Sequence, residues 1–399
     1  MKFKPSVNLL ILSTSTFILL LGCNPVSQEG SRGSVPGDTL GVKVVQSYAQ
    51  IVYLTYKDSL AAAETMHDRI SSFTNDPSPD SLNTARESWI ASRLPYLQSE
   101  VFRFYDGPID DEDGPEGLLN AWPMDEAYLD YVKGFPNSGI VNNPSSFPKI
   151  TTSLIAQLNE KDGEENISSG FHAIEFLLWG QDFDEDGPGN RPHTDYTTGP
   201  NAERRKEYLL AATALLIENL QGLVAEWKPN SDNYRKSFEQ DKPEESLKKI
   251  LTGLCLLTGF ELAGERLLVA HDSKSQEDEH SCFSDTTHND IEYDLIGIAN
   301  VWHGRYKGVD GTTFEGKGIR DFLTSKSPQK TALVDQLIKT ASNRFSNIPV
   351  PFDQAILQPA GSDSSKSILA LIDTLEDTAD LLVDIGAVHG FNVPRELEE

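Results

Sequence analysis

Basic residues are scarce in this 399-residue chain: 34 lysines and arginines stand against 61 aspartates and glutamates, for a formal net charge of −27. A chain this acidic is not expected to bind nucleic acid, because phosphate contacts need clustered Lys and Arg. It gathers cations near its surface without selecting among them. Cysteine is nearly absent, with Cys23, Cys255 and Cys282 the whole complement. Cys255, in LTGLCLLTGF, reads as a small buried apolar residue, and neither it nor Cys282 has the basic surroundings of a nucleophile. No G-x-S-x-G and no H-E-x-x-H occurs. The strained serine elbow and the two-histidine zinc helix of common hydrolases are therefore excluded.

Long apolar runs are also rare, and the clearest one opens the chain. After Lys2 and Lys4, the segment from Val7 to Leu21 is too short to cross a bilayer comfortably and reads as a signal peptide over residues 1–22. Its end, Leu20-Leu21-Gly22-Cys23, resembles a bacterial lipobox, in which the cysteine is acylated and becomes the new N-terminus. The expectation is an exported lipoprotein of the cell envelope, held to a membrane through Cys23. Residues 23–40, rich in Pro, Gly and Ser, follow as a flexible tether. Asn24 in place of Asp leans toward the outer membrane, facing the periplasm or the surface. No other stretch is expected to cross a membrane. Loss of residues 1–22 leaves 32 basic against 61 acidic residues, a net charge of −29. Export permits a Cys255–Cys282 disulfide, although nothing in the sequence brings the two together.

The rest of the chain repeats apolar residues at three and four, the mark of amphipathic helices, over 41–70, 81–104, 201–227, 243–270, 330–345 and 365–388. The predicted class is all-α. Two helical bundles are expected, 41–200 and 201–399, joined near a Pro- and Gly-rich loop. An echo of Asn120-Ala121-Trp122 in Asn300-Val301-Trp302 hints at duplication. Long loops, such as QDFDEDGPGNRPHTDYTTGP and KGVDGTTFEGKG, are expected to be functional.

Within SSGFHAIEFLLWGQD, His172 and Glu175 stand three residues apart, as neighbours on a helix do. The spacing itself is weak: with so many acids, about two of the eight histidines should have one by accident. Four do, the others being His67 with Glu64, His280 with Glu277, and His288 with Asp285. What distinguishes His172 is that Phe171, Ala173, Ile174, Phe176, Leu177, Leu178 and Trp179 leave its helix no solvated face. A carboxylate buried there needs a partner, which is either a structural His–Glu pair or arginine, or a metal or catalytic site. Ser168 and Ser169 are read as N-caps of this helix.

Gly170-Phe171-His172-Ala173-Ile174-Glu175 resembles the G-x-H-x-x-E signature of the imelysin family of exported bacterial proteins. Further blocks are similar to that family: Arg93 to Phe104 with Gly107 to Asp110, Asn120 to Glu126, and Glu279 to His288, the last resembling its iron-regulated protein A branch. In that block Thr286 replaces an expected Asn. The resemblance implies helical bundles with the signature helix at their junction, a role in iron uptake or handling, and iron-transport components as partners; it also carries a peptidase label. It makes His172 and Glu175 candidate ligands of iron, or of manganese or zinc, as a free ion or a chelate, with Glu100 the third. Glu100 has an alternative partner in Arg103, at i+3. His280, Asp285 and His288 could close the site from a second loop, or belong to a solvated acidic loop. Separately, Asp182, Asp184 and Asp186 match the opening D-x-D-x-D-G of a calcium loop, but its twelfth position is His193 rather than Glu. A metallopeptidase and a helical interaction module with a purely structural His–Glu pair remain as the other two readings.

Overall fold

The computed structural model describes residues 39–184 and 187–397, so the signal peptide, Cys23, almost all of the tether, and Asp186 lie outside the described residues. Helices run in order as α1 (Leu40–Asn75), α2 (Pro79–Leu97), α3 (Glu116–Leu119), α4 (Glu126–Leu129), α5 (Thr152–Leu158), α6 (Gly170–Trp179) and α7 (Ala202–Trp227). They continue as α8 (Tyr234–Gln240), α9 (Pro243–Leu256), α10 (Val269–Ser273), α11 (Thr287–His303), α12 (Ile319–Leu323), α13 (Pro328–Phe345), α14 (Phe352–Ile356) and α15 (Asp363–His389). The protein is predominantly all-α, as its periodicity predicts.

Local chemistry sets the helix boundaries. Thr39 caps α1 by accepting from the Val42 N–H, and Ser78 and Ser81 form a reciprocal box at the start of α2, with Pro79 in the first turn. The stripe Val45, Tyr48, Val52, Tyr56, Ala63, Met66, Ile70 and Phe73 of α1 is buried, at the three-and-four spacing that the sequence shows. It packs on α2 and α7. Each large apolar side chain so buried contributes roughly 1.5–3 kcal/mol. Helices on either side of residue 200 share contacts: α1 packs on α7 and α9, and α11 on α2.

Three expectations are corrected. The helix predicted over 81–104 ends at Leu97, and Glu100 lies instead in a 3-10 turn, Glu100–Phe102. Pro95 inside α2 removes a backbone donor, and the regular ladder gives way two residues later. The helix predicted over 243–270 passes from α9 into a π-helical stretch, Leu257–Leu268, before α10; such wide turns often accompany functional sites. The segment KGVDGTTFEGKG is not a plain loop, since β1 (Arg305–Lys307) and β2 (Thr313–Glu315) pair antiparallel with Tyr306 opposite Phe314. Asp58 of α1 braces this hairpin by accepting from the Tyr306 hydroxyl and the Val309 N–H.

Among the described residues α7 is long and apolar enough to span a bilayer by length and composition, contrary to the expectation that nothing past the signal segment is. Its Tyr208, Leu209, Ala212, Leu216 and Leu220 are nonetheless buried in the core, and it packs on α1 and α6. Cys255 and Cys282 are both buried and both free.

Candidate metal centre

Every residue of α6 is buried, so its ends need partners from the rest of the protein. They come from side chains: Trp89 of α2 donates to the Phe171 carbonyl, Arg86 to Leu178, Tyr196 to Leu177 and Tyr208 to Ser168. Ser169 stands at the N-cap position, but against expectation neither serine caps the helix with its hydroxyl; Ser168 and Ser169 donate instead to the carbonyls of Ile155 and Leu118. Gly170 has φ +83, and a Cβ there would lie 2.6 Å from the Leu119 oxygen. The first residue of the G-x-H-x-x-E pattern is thus a glycine for reasons of backbone and space.

His172 and Glu175 are fully buried and bonded to each other, Nδ1 to Oε2 at 3.0 Å. The other carboxylate oxygen, Oε1, accepts from the Ser284 N–H at 3.0 Å and its hydroxyl at 2.6 Å. Thr286 meets that same hydroxyl at 2.7 Å, so the residue standing in place of the expected Asn supports the site at one remove. Both oxygens of Glu175 are therefore engaged, while His172 Nε2 is buried without a partner. Burial pushes the Glu175 carboxyl up to about 8. Burial, then the nearness of His280 and Arg93, pushes the His172 imidazole well below its ordinary value.

His280 reaches the same place. Its loop, Glu279 to Thr287, is buried throughout rather than solvated. The His280 ring packs edge-on against His172 with centroids 4.7 Å apart, and Trp122 covers His172 at 4.9 Å. His280 Nδ1 lies 2.8 Å from Asp290 Oδ2 on α11, and Ser281 and Arg93 also donate to that carboxylate. Asp290 is held well below the usual range because Arg93 and His280 outweigh its burial. Burial and Arg266 lower His280 to about 4. Asp290, Arg93, Asn120, Ser284 and Arg266 had no role assigned from sequence. Asp290 and Asp294 sit one turn apart among Ile291, Leu295 and Ile298, the same acid-on-an-apolar-face signal that marks α6.

Glu100 is fully buried, and its Oε2 accepts from Arg103 at 2.8 Å and from Arg266, on the π-helical stretch, at 2.6 Å. These guanidiniums overcome burial and leave it at about 2. Its Oε1 has only a long contact, 3.4 Å, to Asn120 Nδ2, which also lies 3.5 Å from His280 Nε2. Glu100 is joined to His280 through Asn120, not directly. A cleft of about 1070 Å³, lined by His280, Asn120, Trp122, Arg103, Arg266 and the acids Glu116, Glu160, Glu164, Glu165, Glu261 and Glu265, opens beside them.

Asp285 and His288 do not join this group. Asp285, at φ +55, faces Asp182 and Asp353; burial and those charges raise it to about 8, and Asp182 rises to about 6. His288 is half-buried, with Asp290, Glu292 and Asp353 the acids that weigh on it. Asp182 is buried but Asp184 is exposed. Among the described residues no three His, Cys, Asp or Glu side chains already converge as metal ligands.

The fold and the site define a helical protein with two buried, carboxylate-bonded imidazoles packed edge to face beside an acidic cleft. The chain belongs to the imelysin family, whose model matches residues 52–382. It is 24% identical over 371 residues to iron-regulated protein A of Synechococcus elongatus, covering 89% of this chain and 90% of that one. A solved structure from Parabacteroides distasonis, described as an iron-regulated protein A precursor, shares the fold with TM-score 0.66 and 17% identity. An imelysin-like protein from Psychrobacter arcticum does so with TM-score 0.63 and 12% identity. Each covers 89% of this chain and 97% of the solved one.

Proposed function

We propose that this chain is a lipid-anchored protein of the bacterial cell envelope that captures iron, or a related divalent metal such as manganese or zinc, for uptake or handling. The observation that carries the reading is the pair of imidazoles. His172 and His280 each have Nδ1 against a carboxylate, Glu175 and Asp290, which fixes a tautomer with Nε2 turned to another partner, the habit of metal-binding histidines. His172 Nε2 is a buried polar atom with no partner in the protein, a costly state that a metal would relieve. In this arrangement Glu175 positions His172, and the oxygen donor is Glu100 Oε1, since its Oε2 already holds two guanidiniums. Mixed imidazole and carboxylate donors suit iron, manganese and zinc. The acidic cleft supplies the approach for an ion or a chelate. Similarity to an iron-regulated protein favours iron. Anchoring and export rest on residues 1–23 alone.

The peptidase reading has less support: Glu175 has no free oxygen to act as a base, and no second histidine lies one turn from His172. The test is metal content after purification from iron-replete cells. The expected result is bound iron in the natural chain, lost at least ten-fold in His172→Ala and in His280→Ala. A natural chain without metal, with His172→Ala altering only thermal stability, would leave a structural pair. Proteolysis abolished by chelation and by Glu175→Gln would instead restore the peptidase.

A further inference from the structure

The long loop after α6 takes no part in the imidazole centre. Its first half walls an open cavity of about 520 Å³, a size within the range of about 300–1,000 Å³ that holds small ligands. Tyr131 to Lys133 and the end of α6, Trp179 and Gly180, complete the lining. The walls are tied to one another and to the core. The Arg191 N–H donates to the Trp179 carbonyl at 2.7 Å, the Gly189 N–H to that of Phe283 at 2.9 Å, and the Lys133 N–H to the side-chain oxygen of Gln181 at 2.7 Å. A site held ready in this way loses little freedom when it is filled.

Arg191 carries the argument. It is 4% exposed, and its Nη1 donates to Asp130 at 2.8 Å and to Asp195 at 3.2 Å, so its charge is met. Its Nε–H is buried and has no partner in the protein, a state that costs about 1–3 kcal/mol. A Cβ at Gly180 would lie 3.5 Å from that nitrogen, and the glycine therefore keeps a side chain from covering it. With the charge already compensated, the unpaired donor calls for a neutral oxygen such as a hydroxyl. Phe183 is 61% exposed, and the Lys133 ammonium lies 4.7 Å from its ring centre. A sugar ring has an apolar C–H face and an edge of hydroxyls that both donate and accept, so it suits a flat aromatic surface ringed by donors and acceptors. Lys133, Gln181, Asn190 and Asp184 supply that ring here. Charge points the same way. Lys133 and Arg191 line the cavity together with Asp182 and Asp184, so a ligand of either net charge meets its own sign, and a neutral polyol does not. We propose that this cavity binds a neutral carbohydrate, with a sugar ring against Phe183 and a hydroxyl accepting from Arg191 Nε. The site shares no lining residue with the cleft beside His280 and does not depend on a metal.

The experiment titrates the full chain with maltose, cellobiose and N,N′-diacetylchitobiose, read by saturation-transfer NMR and by tryptophan fluorescence, since Trp179 lines the cavity. Saturable binding of at least one of these neutral disaccharides at millimolar concentration, retained in His172→Ala, is the expected result. Phe183→Ala, at an exposed position, should weaken it about ten-fold, and Asn190→Ala about five-fold, the size of one lost hydrogen bond. Arg191→Lys keeps a positive charge beside Asp130 and removes the Nε donor, and should also weaken binding about five-fold. Its Tm shows whether it folds, and Phe183→Ala decides alone if it does not. No saturable signal from any of the three sugars up to about 20 mM overturns the proposal. So does sugar affinity left unchanged by Phe183→Ala. Saturation by trialanine with none by the sugars overturns it as well, and would make the cavity a peptide site.

Discussion

Two buried charged groups flank α6, and they differ in what they leave over. Asp130 is fully buried and its carboxylate is saturated: Arg191 donates at 2.8 Å, Arg205 at 2.6 and 3.0 Å, and Asn142 and the Tyr131 N–H complete it. Arg191 lies over the rings of Tyr131 and Phe176, tying the cluster to α6. Around His172 the same kinds of residue are gathered, yet His172 Nε2 has no partner and Glu100 Oε1 has only a long one. A group whose charges and donors close on themselves holds a fold together. One that keeps an imidazole nitrogen and a carboxylate oxygen in reserve, beside an open cleft, has what the proposed metal binding requires.

The sharpest way to break this comparison is Asp130→Ala. It leaves two arginines buried without their common partner, and loss of one member of a buried ion group costs about 3–5 kcal/mol. Chemical denaturation should show that loss, while whatever chain remains folded still takes up metal with natural affinity. If Asp130→Ala removed metal binding without lowering stability, the division between structural and functional clusters would be wrong.

The pH dependence of the chelator-stripped protein is the next largest effect. His280 drops from an ordinary 6.5 to about 4 on folding, so the unfolded chain takes its proton more readily. Stability should therefore fall as pH goes from about 6.5 toward 4, by on the order of 3 kcal/mol for this imidazole, with His172 adding in the same direction. Glu175 runs the other way: its folded value is raised from 4.5 to about 8, so its contribution is complete below about 4.5 and is lost as pH rises through 8. Denaturation midpoints from pH 4 to 9 should show both slopes. His280→Asn should flatten the acid side and Glu175→Gln the alkaline side. The Asp130 group, held low by its arginines against burial, should add no slope in this range.

How much of this was readable beforehand follows from the range of each interaction. The stripe of α1 and the dryness of α6 are local patterns, and the periodicity and composition of short segments expose them. The partners of the site are not local: Arg93 meets an aspartate 197 residues away, and Arg266 meets a glutamate 166 residues away. No spacing rule reaches that far. Glu100 was found, but was placed on a helix, because the effect of Pro95 on the end of α2 depends on packing that the sequence does not display. His280 was caught between a solvated loop and a closing loop. Burial decides it, through Phe283 packing on Trp122 and Phe176. Asp290 could have been found, since α11 puts it on an apolar face just as α6 does Glu175.

The smallest expected effect tests the support that Glu175 receives from the loop carrying His280. Ser284 gives Glu175 both its N–H and its hydroxyl. Ser284→Ala keeps the N–H and removes the hydroxyl, a bond worth about 1 kcal/mol. Because that bond favours the ionised form of Glu175, its loss should raise the carboxyl further, leaving Glu175 more often protonated at pH 7 and less able to hold His172 in the metal-binding tautomer. Manganese affinity at pH 7 should weaken by roughly five-fold, with most of the loss recovered at pH 8.5, where the carboxylate re-forms. A deficit that stays the same at both pH values would show that Ser284 acts on the shape of the loop and not through the charge of Glu175.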